Sequence, residues 1–208
     1  MTGKTDIPVL PFATARKWQQ WLSRHQGQTD GVWLQFFKKD SGTRTVTYAE
    51  ALDEALCYGW IDGQKKPCDD ASWLQKFTPR RARSNWSAIN VGHAERLIKE
   101  GRMQESGMQQ VEAAKKDGRW QQAYDGQHSA SLPEDFLSAL GKNKKAAAFF
   151  ATLNKANLYS IAYRLQTAKK PETLEKRTQL ILEMLAKGES LHPQKPARVT
   201  GKPETAGE

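Results

Sequence analysis

Every strand-like segment of this chain lies before Pro79, and from Pro133 onward the sequence reads as helix throughout. Strands gathered in one stretch and followed by helices specify an α+β arrangement, not the strand-helix alternation that builds a parallel sheet. The expected fold is a small, mostly antiparallel sheet flanked by helices, plus an all-helical C-terminal unit. Composition sets the expected boundaries: an α+β domain over residues 1–118, a polar linker over 119–132, a helical module over 133–188, and a disordered tail over 189–208. With 208 residues, 38% hydrophobic content and seven tryptophans, the chain can furnish a real core.

Within the first domain, Phe12, Ala15, Trp18 or Gln19, and Leu22 fall at helical spacing and predict a helix over 12–25. Residues 31–38 form a short, nearly continuous apolar run, the pattern of a strand buried on both faces. Thr47 and Glu50 make a capping box that opens a helix over 48–57, and Gly59 ends it. Strands over 60–66 and 72–78 then pair as an antiparallel hairpin. The period of two puts Trp60, Asp62 and Gln64 on one face, and likewise Trp73, Gln75 and Phe77. Ser84 or Ser87 caps a helix ending at Gly101, and another spans 105–116. In the C-terminal part, helices are expected over 133–140, 143–153, 157–167 and 171–187. Leu158, Ile161 and Leu165, then Leu174, Thr178, Ile181 and Leu185, mark the buried stripes.

The formal charge of +9 is uneven. Residues 142–187 carry ten Lys or Arg against Glu172, Glu175 and Glu183, and residues 65–83 carry six against Asp69 and Asp70. Each region either attracts anions or forms a solvated face. No apolar run can cross roughly 30 Å of hydrocarbon, and the first ten residues lack a signal-peptide core, so no membrane insertion and a cytoplasmic location are expected. Cys57 and Cys68 then read as free thiols. Two cysteines and the scattered His25, His93, His128 and His192 lack paired ligand spacing, so neither metal nor cofactor is expected.

Candidate chemistry concentrates in Trp60, Asp62 and Gln64 with Arg80, Arg81, Arg83, Asn85 and Trp86. Arginine forks grip carboxylates and phosphates, amides add directional bonds, and a tryptophan face can stack a ligand. Together they would hold a small anionic ligand or an anionic partner surface. The same residues admit a structural reading, with Asp62 paired to Arg81 or Arg83 and both tryptophans packed. A second functional reading is single-stranded nucleic acid, with Lys65, Lys66, Lys76, Arg80, Arg81 and Arg83 for phosphates and Trp73, Phe77 and Trp86 for bases. A third is a metal-independent enzyme acting on a small metabolite, with Cys57 as nucleophile and His93 or His25 as base. Cys57 closes a helix, where the negative end of the dipole works against a thiolate. Asp53 and Glu54, adjacent on that helix, point about 100° apart and make a poor acid/base pair. Gly59 and Gly63 fit neither a phosphate loop nor a dinucleotide fingerprint.

Cys57-Tyr-Gly-Trp-Ile-Asp-Gly-Gln64, Phe77-Thr-Pro-Arg-Arg-Ala-Arg-Ser-Asn-Trp-Ser87 and Ala168-Lys-Lys-Pro-Glu-Thr173 with Lys176-Arg177 resemble the bacterial YdeI/OmpD-associated family, labelled bacteriocin-protection proteins. The similarity spans residues 11–191. Arg164-Leu165 stands where the family pattern has Trp-Ile, and Leu174 where a basic residue is common. The resemblance implies a link to bacteriocin or envelope-stress resistance and supplies no reaction, substrate or cofactor.

Overall fold

The computed structural model describes residues 6–125 and 131–194. The chain divides into two compact units, Met1–Ala123 and Tyr124–Glu208. In the first, the capping box forms as its sequence dictates. The Glu50 amide donates to Thr47 Oγ1 at 3.2 Å and the Thr47 amide to Glu50 Oε2 at 2.9 Å, opening a helix over Tyr48–Cys57. Gly59, at φ +74, reverses the chain into the hairpin, a conformation that side-chain-bearing residues resist.

Four strands make the sheet: β1 (Val9–Pro11), β2 (Val32–Phe37), β3 (Trp60–Pro67) and β4 (Ser72–Pro79). Their order is β1-β2-β4-β3, with β1 parallel to β2 and the other pairings antiparallel. The architecture is therefore α+β with a mixed, mostly antiparallel sheet. β1 escapes sequence analysis because three residues containing a proline cannot display alternation. β2 departs from expectation as well: Val32, Leu34 and Phe36 are buried, whereas Trp33, Gln35 and Phe37 are only half-buried. The strand is thus covered fully on one side, where α1 (Ala15–Arg24) sets Trp18 against Phe77 and Trp60, ring centroids 5.7 and 6.4 Å apart.

The capping-box helix, α2, carries Leu52, Ala55 and Leu56 into this core. α3 (Ala88–Lys99) starts at Ser87, whose hydroxyl accepts from the Asn90 amide, and α4 (Glu105–Lys116) follows. Arg119 and Trp120, in the stretch expected to be linker, are buried, and Trp120 belongs to the core of the first unit.

The second unit is helical: α5 (Glu134–Lys142), α6 (Lys144–Phe150), α7 (Lys155–Gln166) and α8 (Pro171–Ala186). Phe136, Leu140, Ile161, Leu165, Ile181 and Leu185 form its core. α5 runs through Gly141 instead of stopping there, and Asn143 separates it from α6 by capping the Ala146 amide at 3.1 Å. Part of the expected tail is docked. Asn157, fully buried, accepts from the His192 amide at 2.8 Å and donates to the His192 carbonyl at 3.1 Å, so one side chain satisfies both backbone groups. Residues 195–208 of that tail lie outside the described residues. No helix among the described residues is long and apolar enough to cross a membrane.

Cys57 is buried and Cys68 exposed. Burial, with a smaller contribution from the Glu54 charge, pushes the Cys57 thiol up to about 12, so at neutral pH it stays protonated. A disulfide reagent should therefore titrate one thiol in the native chain and both in denaturant, and the native reaction should vanish in Cys68→Ser. Fast modification of Cys57 in the folded protein would contradict this packing.

Candidate functional site

Of the eight residues expected to form a pocket, the structure holds Arg80, Asn85 and Trp86 in one turn and leaves Gln64, Arg81 and Arg83 exposed. Trp60 and Trp86 are 1% and 2% exposed, so neither offers a face to a ligand. Trp60 meets Trp18 and Trp21 edge-on, and Trp86 packs against Trp120 at 4.9 Å. The buried Arg80 guanidinium lies 3.6 Å from the centre of the Trp86 ring and donates to the Asn85 carbonyl at 3.1 Å. Arg119 adds a bond to the Ser84 carbonyl at 2.8 Å, so two arginines brace the turn that leads into α3. Sequence analysis missed Arg119 because its partner lies 35 residues away.

Asp62 and Gln64 part company because the β3–β4 register shifts between Asp62 and Lys65. Asp62 pairs with Phe77 and Lys65 with Gln75, three steps along one strand against two along the other, so the bulge resets the alternation. Gln64 ends exposed. Asp62 accepts from Tyr48 Oη at 2.7 Å and makes no ion pair with Arg81 or Arg83 among the described residues. Burial first, then this bond to Asp62, raise the Tyr48 phenol above its ordinary value. Arg81 and Arg83 are exposed. The nucleic-acid set is also divided: Phe77 and Trp86 are core, while Lys65 caps Trp73 at 4.2 Å and Lys66 caps Trp33 at 4.3 Å.

The first unit's charged cluster lies elsewhere. Arg96 Nη2 donates to both Asp53 oxygens at 2.7 Å, and His93 Nδ1 stands 3.0 Å from Asp53 Oδ1. Arg102 reaches Glu54 at 2.7 Å and Glu100 at 3.2 Å. These contacts tie α2 to α3 and the turn after it, and they engage His93 with Asp53 instead of with Cys57. Asp53→Ala should cost about 1 kcal/mol, because its partners Arg96 and His93 keep access to water. Equilibrium urea unfolding checks this; an unchanged midpoint would contradict it.

A groove of about 340 Å³ opens in the second unit. α7 contributes Tyr163, Arg164 and Thr167 to its wall, and α8 contributes Arg177, Leu180, Ile181 and Met184. Leu191, in the segment held by Asn157, closes one side. Arg177 Nη1 donates to the Arg164 carbonyl and to Thr167 Oγ1, which fixes its guanidinium at the rim. Neither Arg164 nor Arg177 pairs with a carboxylate among the described residues. Leu180 is 56% exposed. The arrangement joins two arginines, one with its guanidinium fixed in place, to an apolar wall.

Residues 129–188 match the family described as Bacteriocin-protection, YdeI or OmpD-Associated, and residues 10–110 match a domain of unknown function (DUF8412). The C-terminal unit carries a YdeI/OmpD-associated domain. Neither curated proteins nor solved structures gave a match to the chain. Both groove helices lie inside the YdeI/OmpD-associated match, and the Asp53 cluster lies inside the DUF8412 match. The groove residues recur at three- and four-residue steps, so the mixed basic and apolar stripes of α7 and α8 were the available sequence signal.

Proposed function

We propose that this protein is a binding protein for a small anionic ligand, received by the groove of its YdeI/OmpD-associated domain. The observation that carries this reading is the pair Arg164 and Arg177, two arginines that line a concave surface and make no ion pair among the described residues. Guanidinium forks select carboxylates and phosphates, and a cleft of about this size lies at the lower end of the range for small-molecule sites. The domain's place in a bacteriocin-protection family favours a role in stress resistance, exerted in the cytoplasm through binding. The Arg80–Trp86 turn contributes geometry to the fold in this reading, and the exposed Arg81 and Arg83 are solvated.

Thermal unfolding followed by far-UV circular dichroism tests it against a panel of acetate, octanoate, inorganic phosphate and adenosine monophosphate. A ligand at about 100 times its dissociation constant should stabilise the unit that binds it by about 2.7 kcal/mol. The response should shrink in Arg164→Gln and persist in Arg81→Gln/Arg83→Gln. Loss of the response in the second variant and not in the first would return the site to the N-terminal turn.

A further inference from the structure

The groove has two chemically distinct ends, and together they restrict what can occupy it. Arg177 is already oriented by its bonds to the Arg164 carbonyl and Thr167, so its remaining N–H groups form a fixed fork. Arg164 is exposed and makes no ion pair among the described residues, leaving it free to close over a bound head group. Beyond the arginines the wall turns apolar through Leu180, Ile181, Met184 and Leu191. Leu180, 56% exposed, is the most exposed of the large hydrophobic side chains on the described surface. Met184 adds a flexible, polarizable surface that adapts to varied shapes.

We propose that the ligand is a free monocarboxylate carrying an apolar chain or ring, with its carboxylate on Arg177 and Arg164 and its tail along Leu180 and Met184. This rests on the anion-binding reading above and narrows it to one chemical class. A planar carboxylate matches a guanidinium fork through two parallel bonds, whereas a phosphate dianion would enter a mostly apolar groove with too few donors to replace its hydration. The tail supplies the apolar surface that Leu180 lacks. The groove's small volume favours a free small molecule over the C-terminus of a peptide, which would bring its own amide groups against the apolar wall without partners.

Calorimetric titration of the full chain with octanoate, acetate, inorganic phosphate and a short peptide ending in leucine tests the inference. Octanoate should bind at least tenfold more tightly than acetate or phosphate, and more tightly than the peptide. Arg164→Gln should weaken octanoate about tenfold. Leu180→Ser, at an exposed position with little role in folding, should weaken octanoate severalfold and leave acetate unchanged. If acetate or phosphate equals octanoate and Arg164→Gln weakens all three, anion binding stands and the apolar-tail inference is overturned. If the peptide binds best, the free-ligand inference is overturned. If none binds, both readings fall.

Discussion

Gly107→Ala should destabilise the N-terminal unit, against the sign that helix propensity alone gives. Gly107 lies in the first turn of α4, where alanine is ordinarily favoured over glycine by up to about 1 kcal/mol. Here a Cβ would collide with the Cys57 carbonyl oxygen and stand 2.8 Å from the Cys57 carbonyl carbon and 2.9 Å from the Leu56 oxygen. These atoms are backbone at the end of α2 and cannot rotate away. Relief requires α4 to move off α2, and overpacking of this kind costs about 1–3 kcal/mol or more. The clash wins, for a net loss of about 2 kcal/mol. Gly92 in α3 is the internal comparison, since a Cβ there meets nothing within 4 Å. Gly92→Ala should therefore stabilise by a few tenths to about 1 kcal/mol. All seven tryptophans lie between residues 18 and 120, so their fluorescence in urea reports this unit alone. A rise in midpoint for Gly107→Ala would contradict the close α2–α4 packing.

Trp18→Ala should have the largest effect of any single truncation in the first unit. Its ring is fully buried and lies 5.1 Å from Phe12, 5.2 Å from Trp21 and 5.7 Å from Phe77, centre to centre. Its indole N–H donates to the Ala51 carbonyl at 3.0 Å, which links α1 to α2. Truncating a buried tryptophan costs about 3–5 kcal/mol, and the Ala51 carbonyl, already an acceptor within α2, loses only its second donor. Domains of this kind hold roughly 5–15 kcal/mol in total, so the loss is a large fraction of the unit's stability and should lower its urea midpoint sharply. Trp18→Phe keeps most of the apolar contact and loses the hydrogen bond, and should fall between wild type and Trp18→Ala. Equal stability of the two variants would show that the ring does not anchor the core.

Much of this architecture is legible in the sequence where one residue acts on its near neighbours. Thr47 and Glu50 announce α2, Gly59 announces its end, and the stripe of Ile161 and Leu165 faces inward as its spacing requires. Reading fails where meaning depends on distant partners. Trp60 and Trp86 carry the chemistry of a stacking site, and only the fold shows that their faces are used by Trp18, Trp21, Arg80 and Trp120. A bulge between Asp62 and Lys65 leaves no mark in an alternating pattern, so a period of two assigns Gln64 to a face it does not share. Asp53 meets its arginine 43 residues away, a pairing that no local rule anticipates. The groove belongs to the same class: Arg164 and Arg177 read as members of a diffuse basic stretch, and helix packing brings them to one rim.

Under the proposed function, an anion occupies that groove. The most direct test is a two-dimensional NMR titration of the full chain with octanoate, following arginine side-chain N–H groups and leucine and methionine methyls. Saturable shifts are expected, confined to Arg164, Arg177, Leu180 and Met184 and the residues around them, with Arg81 and Arg83 unmoved. Shifts that map to Arg81 and Arg83, or to neither set, would contradict binding in the groove.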